Sequence, residues 1–149
     1  MNHDALHILL ADDDDDDRLF FKDALEAVKV KTIVKTLNDG VALMNYLVEP
    51  DVQLPNLVFL DLNMPRKNGM ECLQEIRNNP NLKHLSVAIY STSALQKDIQ
   101  ETFVNGANIY IRKPTDFDEL KNILERVLTI NWQYDTSNLK EGNFLFNIY

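Results

Sequence analysis

Residues 57–61 read LVFLD, four apolar residues of strand length closed by a carboxylate. Runs of the same kind recur on both sides: LHILLA at 6–11, TIVKTL at 32–37, SVAIY at 86–90 and NIYIR at 108–112. Between them lie longer segments with amphipathic helical spacing, at 18–29, 40–49, 69–78 and 95–105, and a last one at 117–130. Strand-length apolar runs alternating with helical segments are the pattern of βα units in a parallel sheet, so the chain reads as five βα units of the α/β class. The last helix is the clearest. Phe117, Leu120, Ile123, Leu124, Val127 and Leu128 form one stripe for the sheet and leave Glu119, Lys121 and Glu125 outside. Asp39-Gly40, Lys67-Asn68-Gly69, Asn78-Asn79-Pro80 and Asn105-Gly106 mark loops, because Gly and Asn tolerate positive φ and Pro stops a helix.

In an open parallel sheet, ligands bind at the carboxyl ends of the strands. Asp61 ends the third strand, and the first is followed by six consecutive aspartates, Asp12 to Asp17. Asp12 and Asp13 are therefore expected beside Asp61. Two unit charges about 4 Å apart repel by roughly 4 kcal/mol at an effective dielectric near 20, so such a cluster calls for protonation or a cation. A hard cation of the Mg²⁺ type, with oxygen ligands and retained waters, suits a few carboxylates joined by an anionic phosphoryl ligand. Asp14 to Asp17 read as a helix start, where aspartate caps free N–H groups and meets the positive end of the dipole. A calcium loop fails in detail, with Asp17 where the turn needs Gly and Asp23 where a bidentate Glu belongs.

Ser91 follows the fourth strand and Lys113 the fifth, bringing a hydroxyl and an ammonium to the same edge. Each alone is an ordinary surface residue. Together with the three acids they make a phosphoryl cradle, with a carboxylate as nucleophile and the other groups for positioning and electrostatics.

Composition narrows the alternatives. The 149 residues are 45% hydrophobic and 26% charged, the balance of one ordinary globular domain. A net charge of -8 opposes phosphate backbones and anionic lipid, so neither nucleic acid nor membrane is an expected partner. No apolar run is long enough to span a bilayer and the start lacks a signal-peptide pattern, so a cytoplasmic location is expected. Cys72 is the single cysteine, and His3, His7 and His84 lack zinc-like spacing, which removes disulfide scaffolds and zinc sites.

The motifs ILLADD, VFLDLNMPRKNG, YSTSALQKDI and NIYIRKP, in this order and over roughly residues 5–130, resemble the receiver domain of two-component response regulators, specifically the single-domain, chemotaxis-Y-like kind. The resemblance implies a doubly wound (βα)5 sheet, flavodoxin-like, in strand order 2-1-3-4-5. It implies that Asp61 is the phosphoacceptor, that Asp12, Asp13, Asp61 and the Asn63 backbone carbonyl hold Mg²⁺, and that Ser91 and Lys113 contact the phosphoryl group. Tyr110 becomes the switch aromatic, turning inward as the Ser91 hydroxyl is drawn to the phosphoryl group, and Pro114 follows a cis bond. The partners implied are a sensor histidine kinase or histidine phosphotransfer protein, a downstream protein target and a second copy of the chain in a homodimer. Such a domain is a phosphoacceptor that catalyses only its own phosphorylation and dephosphorylation. The chain departs from the family in the extra charge of Asp14 to Asp17, expected to tighten divalent binding and slow capture of anionic donors, and in Thr92, which narrows access to Asp61. Asn63 and Ser93 stand where the family tunes dephosphorylation.

Two other readings compete. A Mg²⁺-dependent phosphatase with an aspartate nucleophile needs a general acid two residues on, where Asn63 stands. A binding module that keeps the site but works unphosphorylated is separated only by experiment. Residues 131–149 carry Trp132, Tyr134, Phe144, Phe146 and Tyr149, too aromatic for a solvated tail. They are expected to form an extension to a 1–130 receiver domain that packs on that domain or on a partner. They leave no room for a DNA-binding output domain, so the expected output is protein–protein contact.

Overall fold

The structure, a computed structural model, describes residues 5–129 and the backbone of 145–146. The order is β1 (Leu6–Ala11), α1 (Asp15–Ala27), β2 (Thr32–Leu37), α2 (Gly40–Leu47), β3 (Leu57–Leu60), α3 (Gly69–Asn78), β4 (Ser86–Ser91), α4 (Gln96–Val104), β5 (Ile109–Arg112), α5 (Phe117–Leu128) and β6 (Leu145–Phe146). The strands run in the order β2-β1-β3-β4-β5-β6, every pairing parallel. The first five are the doubly wound, flavodoxin-like sheet in order 2-1-3-4-5.

Alternation along the strands splits the core into two layers. Leu9, Ala11, Val58 and Leu60 face α2, α3 and α4 through Leu43, Leu47, Leu73, Ile76 and Ile99. Ile8, Leu10, Leu57 and Phe59 face α1 and α5 through Phe21, Leu25, Leu120, Leu124 and Val127. Burial on both faces is why the central strands read as continuous apolar runs. Phe21, Phe59 and Tyr90 pack edge to face, with centroids 4.9 to 6.4 Å apart.

Side-chain caps start four of the helices: Asp14 accepts from Asp17 N, Asp39 from Ala42 N and Asp116 from Glu119 N, while Asn68 and Glu71 form a reciprocal capping box. The cap at Asp14 begins α1 at Asp15, three positions before the 18–29 segment expected, because the aspartate run is itself the first helical turn. Strand β4 extends one residue further than expected, to Ser91. The sixth strand was not foreseen. Leu145 and Phe146 pair with Tyr110 and Ile111, at the β5 edge. Trp132, Tyr134, Phe144 and Tyr149 lie outside the described residues.

Candidate functional site

Each polar strand end is held by a ladder bond that runs one residue past its strand. Asp12 N donates to Leu37 O at 3.0 Å, Asp61 N to Ala11 O at 3.0 Å and Lys113 N to Ser91 O at 2.8 Å. Four neighbouring strands, β1, β3, β4 and β5, thus deliver Asp12, Asp61, Ser91 and Lys113 to one edge with fixed register. The loop after Asp61 is pinned by glycine. A Cβ on Gly69, the first residue of α3, would collide with the carbonyl oxygen of Asp61, and one on Gly40, the first of α2, with that of Lys67. Within this loop Arg66 takes a positive φ of 70°, an uncommon state for a side-chain-bearing residue.

Carboxylate oxygens of Asp12, Asp13 and Asp61 all lie within 4.8 Å of one another. Asp12 and Asp61 are buried, and Asp13 opens to solvent. Asp12 Oδ1 accepts from Asp14 N at 3.0 Å and Asp61 Oδ1 from Asn63 N at 3.2 Å. Asp12 Oδ2 is buried without a well-aligned hydrogen bond, although Lys113 Nζ stands 2.8 Å away. A buried carboxylate oxygen so placed, in an all-oxygen donor set open on one side, fits a hard divalent cation that keeps waters.

Lys113 Nζ meets three carboxylates: Asp12 at 2.8 Å, Asp17 at 2.8 Å and Asp61 at 3.2 Å. Its opposite flank is the ring of Tyr90, 5.3 Å to the centroid. Burial by itself would depress the ammonium, but the bonds to Asp12 and Asp17 and the charge of Asp61 outweigh it and hold its pKa above the usual lysine range. Asp61 goes the other way. Burial raises its pKa from 3.8 to about 6, with Asp12 adding to the rise and Lys113 and the Asn63 amide opposing it.

Ser91 is fully buried and its hydroxyl accepts from Ser93 N at 3.1 Å. The Ser93 hydroxyl donates to Asp98 on α4 at 2.6 Å, and its carbonyl accepts from the Tyr110 hydroxyl at 2.8 Å. Tyr110 is 1% exposed, and burial raises its phenol pKa against the hydrogen bonds of Ser93 and Ser91. Ser91 and Tyr110 are thus joined through the β4–α4 loop. Thr92 is exposed beside it.

The structure therefore brings together Asp12, Asp13, Asp61, Ser91 and Lys113, with Asn63 two residues past Asp61. One implied feature is corrected. Among the described residues no peptide bond is cis, so the bond before Pro114 is trans, not cis as the resemblance implied. Trans is the lower-energy isomer of an X–Pro bond by about 0.5–1 kcal/mol, and the trans chain already carries the ammonium to Asp61. One participant was missed. By its place in the run Asp17 is a helix-start aspartate, yet its carboxylate reaches the cradle lysine. Helical side chains lean toward the N-terminus, so a residue late in the first turn of α1 points back at the strand ends, and that signal was available.

The response regulator receiver domain family matches residues 8–125 of this chain. The chain belongs to that family. The receiver is 31% identical over 124 residues to the response regulator Rcp1 of Synechocystis sp., covering 80% of this chain and 84% of Rcp1. Among solved structures it is similar to the Mn²⁺-bound form of Rcp1, with TM-score 0.75, 27% identity and coverage of 91% and 97%. It is also similar to the phosphorylated cyanobacterial phytochrome response regulator RcpA, with TM-score 0.77, 30% identity and coverage of 92% and 98%. Receiver domains of this family work in phosphorelay signalling beside a kinase or phosphotransfer protein, and bind a divalent metal at an acidic pocket. Among the described residues no helix is long and apolar enough to cross a membrane.

Proposed function

We propose that this receiver takes a phosphoryl group from a phosphohistidine protein onto Asp61 with Mg²⁺ and thereby switches a protein-binding surface. The observation that carries the reading is the convergence on Asp61 of the Asp12–Asp13 carboxylates and the Lys113 ammonium, from three different strand ends. Asp12, Asp13, Asp61 and the Asn63 backbone carbonyl would hold the metal. When bound, Mg²⁺ supplies charge neutralisation at the phosphoryl oxygens.

In the transfer, an Asp61 carboxylate oxygen forms a bond to phosphorus as the bond to the donor imidazole nitrogen breaks, and that nitrogen leaves with its electron pair. Lys113 faces one phosphoryl oxygen and the Ser91 hydroxyl another. Later attack by water releases phosphate and restores Asp61. The Ser91 hydroxyl, drawn to the phosphoryl group, moves the β4–α4 loop that also holds Tyr110, which couples Asp61 to the faces of α4, β5 and α5. The burial of Tyr110 and its bond to the Ser93 carbonyl support reading it as the switch aromatic.

The phosphorylated relative RcpA is described as a phytochrome response regulator, so a phytochrome-coupled histidine kinase is the first donor to test. We read residues 131–149 as an extension that packs on the receiver domain or on a partner, a reading supported by the pairing of Leu145 and Phe146 with β5. The test of the central step is intact mass after incubation with Mg²⁺ and a small phosphodonor. An alkali-labile phosphoryl adduct present in the native chain and absent in Asp61→Asn supports the reading. No adduct from a small donor or a kinase would leave a binding module that works without phosphorylation.

A further inference from the structure

An ammonium has three protons to donate, and three carboxylates already surround Lys113 Nζ, those of Asp12, Asp17 and Asp61. The Lys113 side chain is 8% exposed, and Tyr90 covers one flank. A phosphoryl oxygen on Asp61 takes over that residue's own contact and competes with the remaining carboxylates, Asp12 and Asp17, for the ammonium. Asp61 would itself carry the phosphoryl group. Asp12 is 0% exposed and cannot be rehydrated where it stands. Asp17 is 38% exposed, so water can take over its solvation as it leaves. Its backbone N–H is bonded to Asp14, so the helix turn stays in place while the side chain swings away.

We infer that Asp17 is the displaceable counter-anion of Lys113, a positioning residue that competes with the incoming phosphoryl group and sets how readily the receiver accepts anionic phosphodonors. The inference rests on the acceptor reading of Asp61. It differs from a general effect of the aspartate run, because the neighbouring Asp16 is exposed and carries the same charge at the same helix end. A field effect would act through both residues. A contact effect acts through Asp17.

The test compares the native chain with Asp17→Asn, Asp17→Glu and the charge-matched control Asp16→Asn, all with saturating Mg²⁺. Beryllofluoride affinity is read by calorimetry, and phosphoramidate half-saturation and maximal rate by intact mass. The expected result is a tightening of beryllofluoride binding and a fall in phosphoramidate half-saturation of about two- to fivefold in Asp17→Asn, the size of a partly exposed ion pair. Maximal rate changes less than half-saturation. Asp17→Glu returns toward the native values, and Asp16→Asn stays within about twofold of them. Equal shifts in Asp17→Asn and Asp16→Asn, or weaker anion binding in Asp17→Asn, would overturn the inference while leaving Asp61 as acceptor. A native chain that takes up neither probe would overturn both.

Discussion

Gly69 and Asp61 touch through backbone alone: the first residue of α3 packs so tightly on the Asp61 carbonyl that no Cβ fits between them. The Gly69 N–H also donates to Leu62 O at 3.0 Å, closing the loop that carries Asn63. The position of the acceptor is thus set by what a neighbour lacks.

Gly69→Ala is expected to push the β3–α3 loop away and destabilise the fold by about 1–3 kcal/mol, the usual cost of overpacking. Chemical denaturation measures the loss. Phosphoryl uptake at a permissive temperature should fall with it, since Asp61 moves with its carbonyl. Unchanged stability would mean that the contact relaxes freely.

Asp61 should make stability depend on pH in the metal-free protein. Its folded pKa is raised from 3.8 to about 6, so its favourable contribution is full below the unfolded value and lost as pH rises through the folded one. Above about pH 6 the ionised carboxylate burdens the fold. Asp61→Asn is therefore expected to be more stable than the native chain at pH 7.5 in a chelator, by about 1–3 kcal/mol. The gap should narrow toward pH 4.5. Denaturant titrations at the two pH values check this, and a gap independent of pH would contradict it. Apparent divalent affinity should weaken as pH falls below about 6, because protons and metal compete for the same oxygen.

Tyr110→Phe removes the hydroxyl that bonds the Ser93 carbonyl. About 1 kcal/mol of stability should go with it. Asp61 keeps all its partners, so adduct formation from a small donor should persist. The response of α4 to phosphorylation, read by amide exchange at residues 93–99, should shrink. Full retention of that response would remove Tyr110 from the switch.

Much of this architecture is legible in the sequence because its central strands are buried on both faces. Leu6–Ala11, Leu57–Leu60 and Ser86–Ser91 form where short apolar runs demand them, and the polar residues at the run ends mark the site. Less legible is whatever depends on direction in space. Asp17 looks like its neighbours in the run, and the backward lean of helical side chains gives only its direction; the folded chain shows that it reaches Lys113. Arg77, in the last turn of α3, carries no sequence signal for its bonds, yet its guanidinium donates to the carbonyls of Lys83, Leu85 and Gly106 and to the Asn108 side chain, tying α3 to the starts of β4 and β5. Leu145–Phe146 is too short to show a period, so β6 carries no signal of its own. The bond before Pro114 has no local determinant strong enough to fix its isomer.

The most direct test of the account locates the phosphoryl group chemically. After incubation with Mg²⁺ and a phosphodonor, borohydride reduction converts an aspartyl phosphate to homoserine, which peptide mass spectrometry assigns to a position. Homoserine at position 61 alone is the predicted result. Homoserine at position 12 or 13, or none in a chain exposed to donor and kinase, would contradict it.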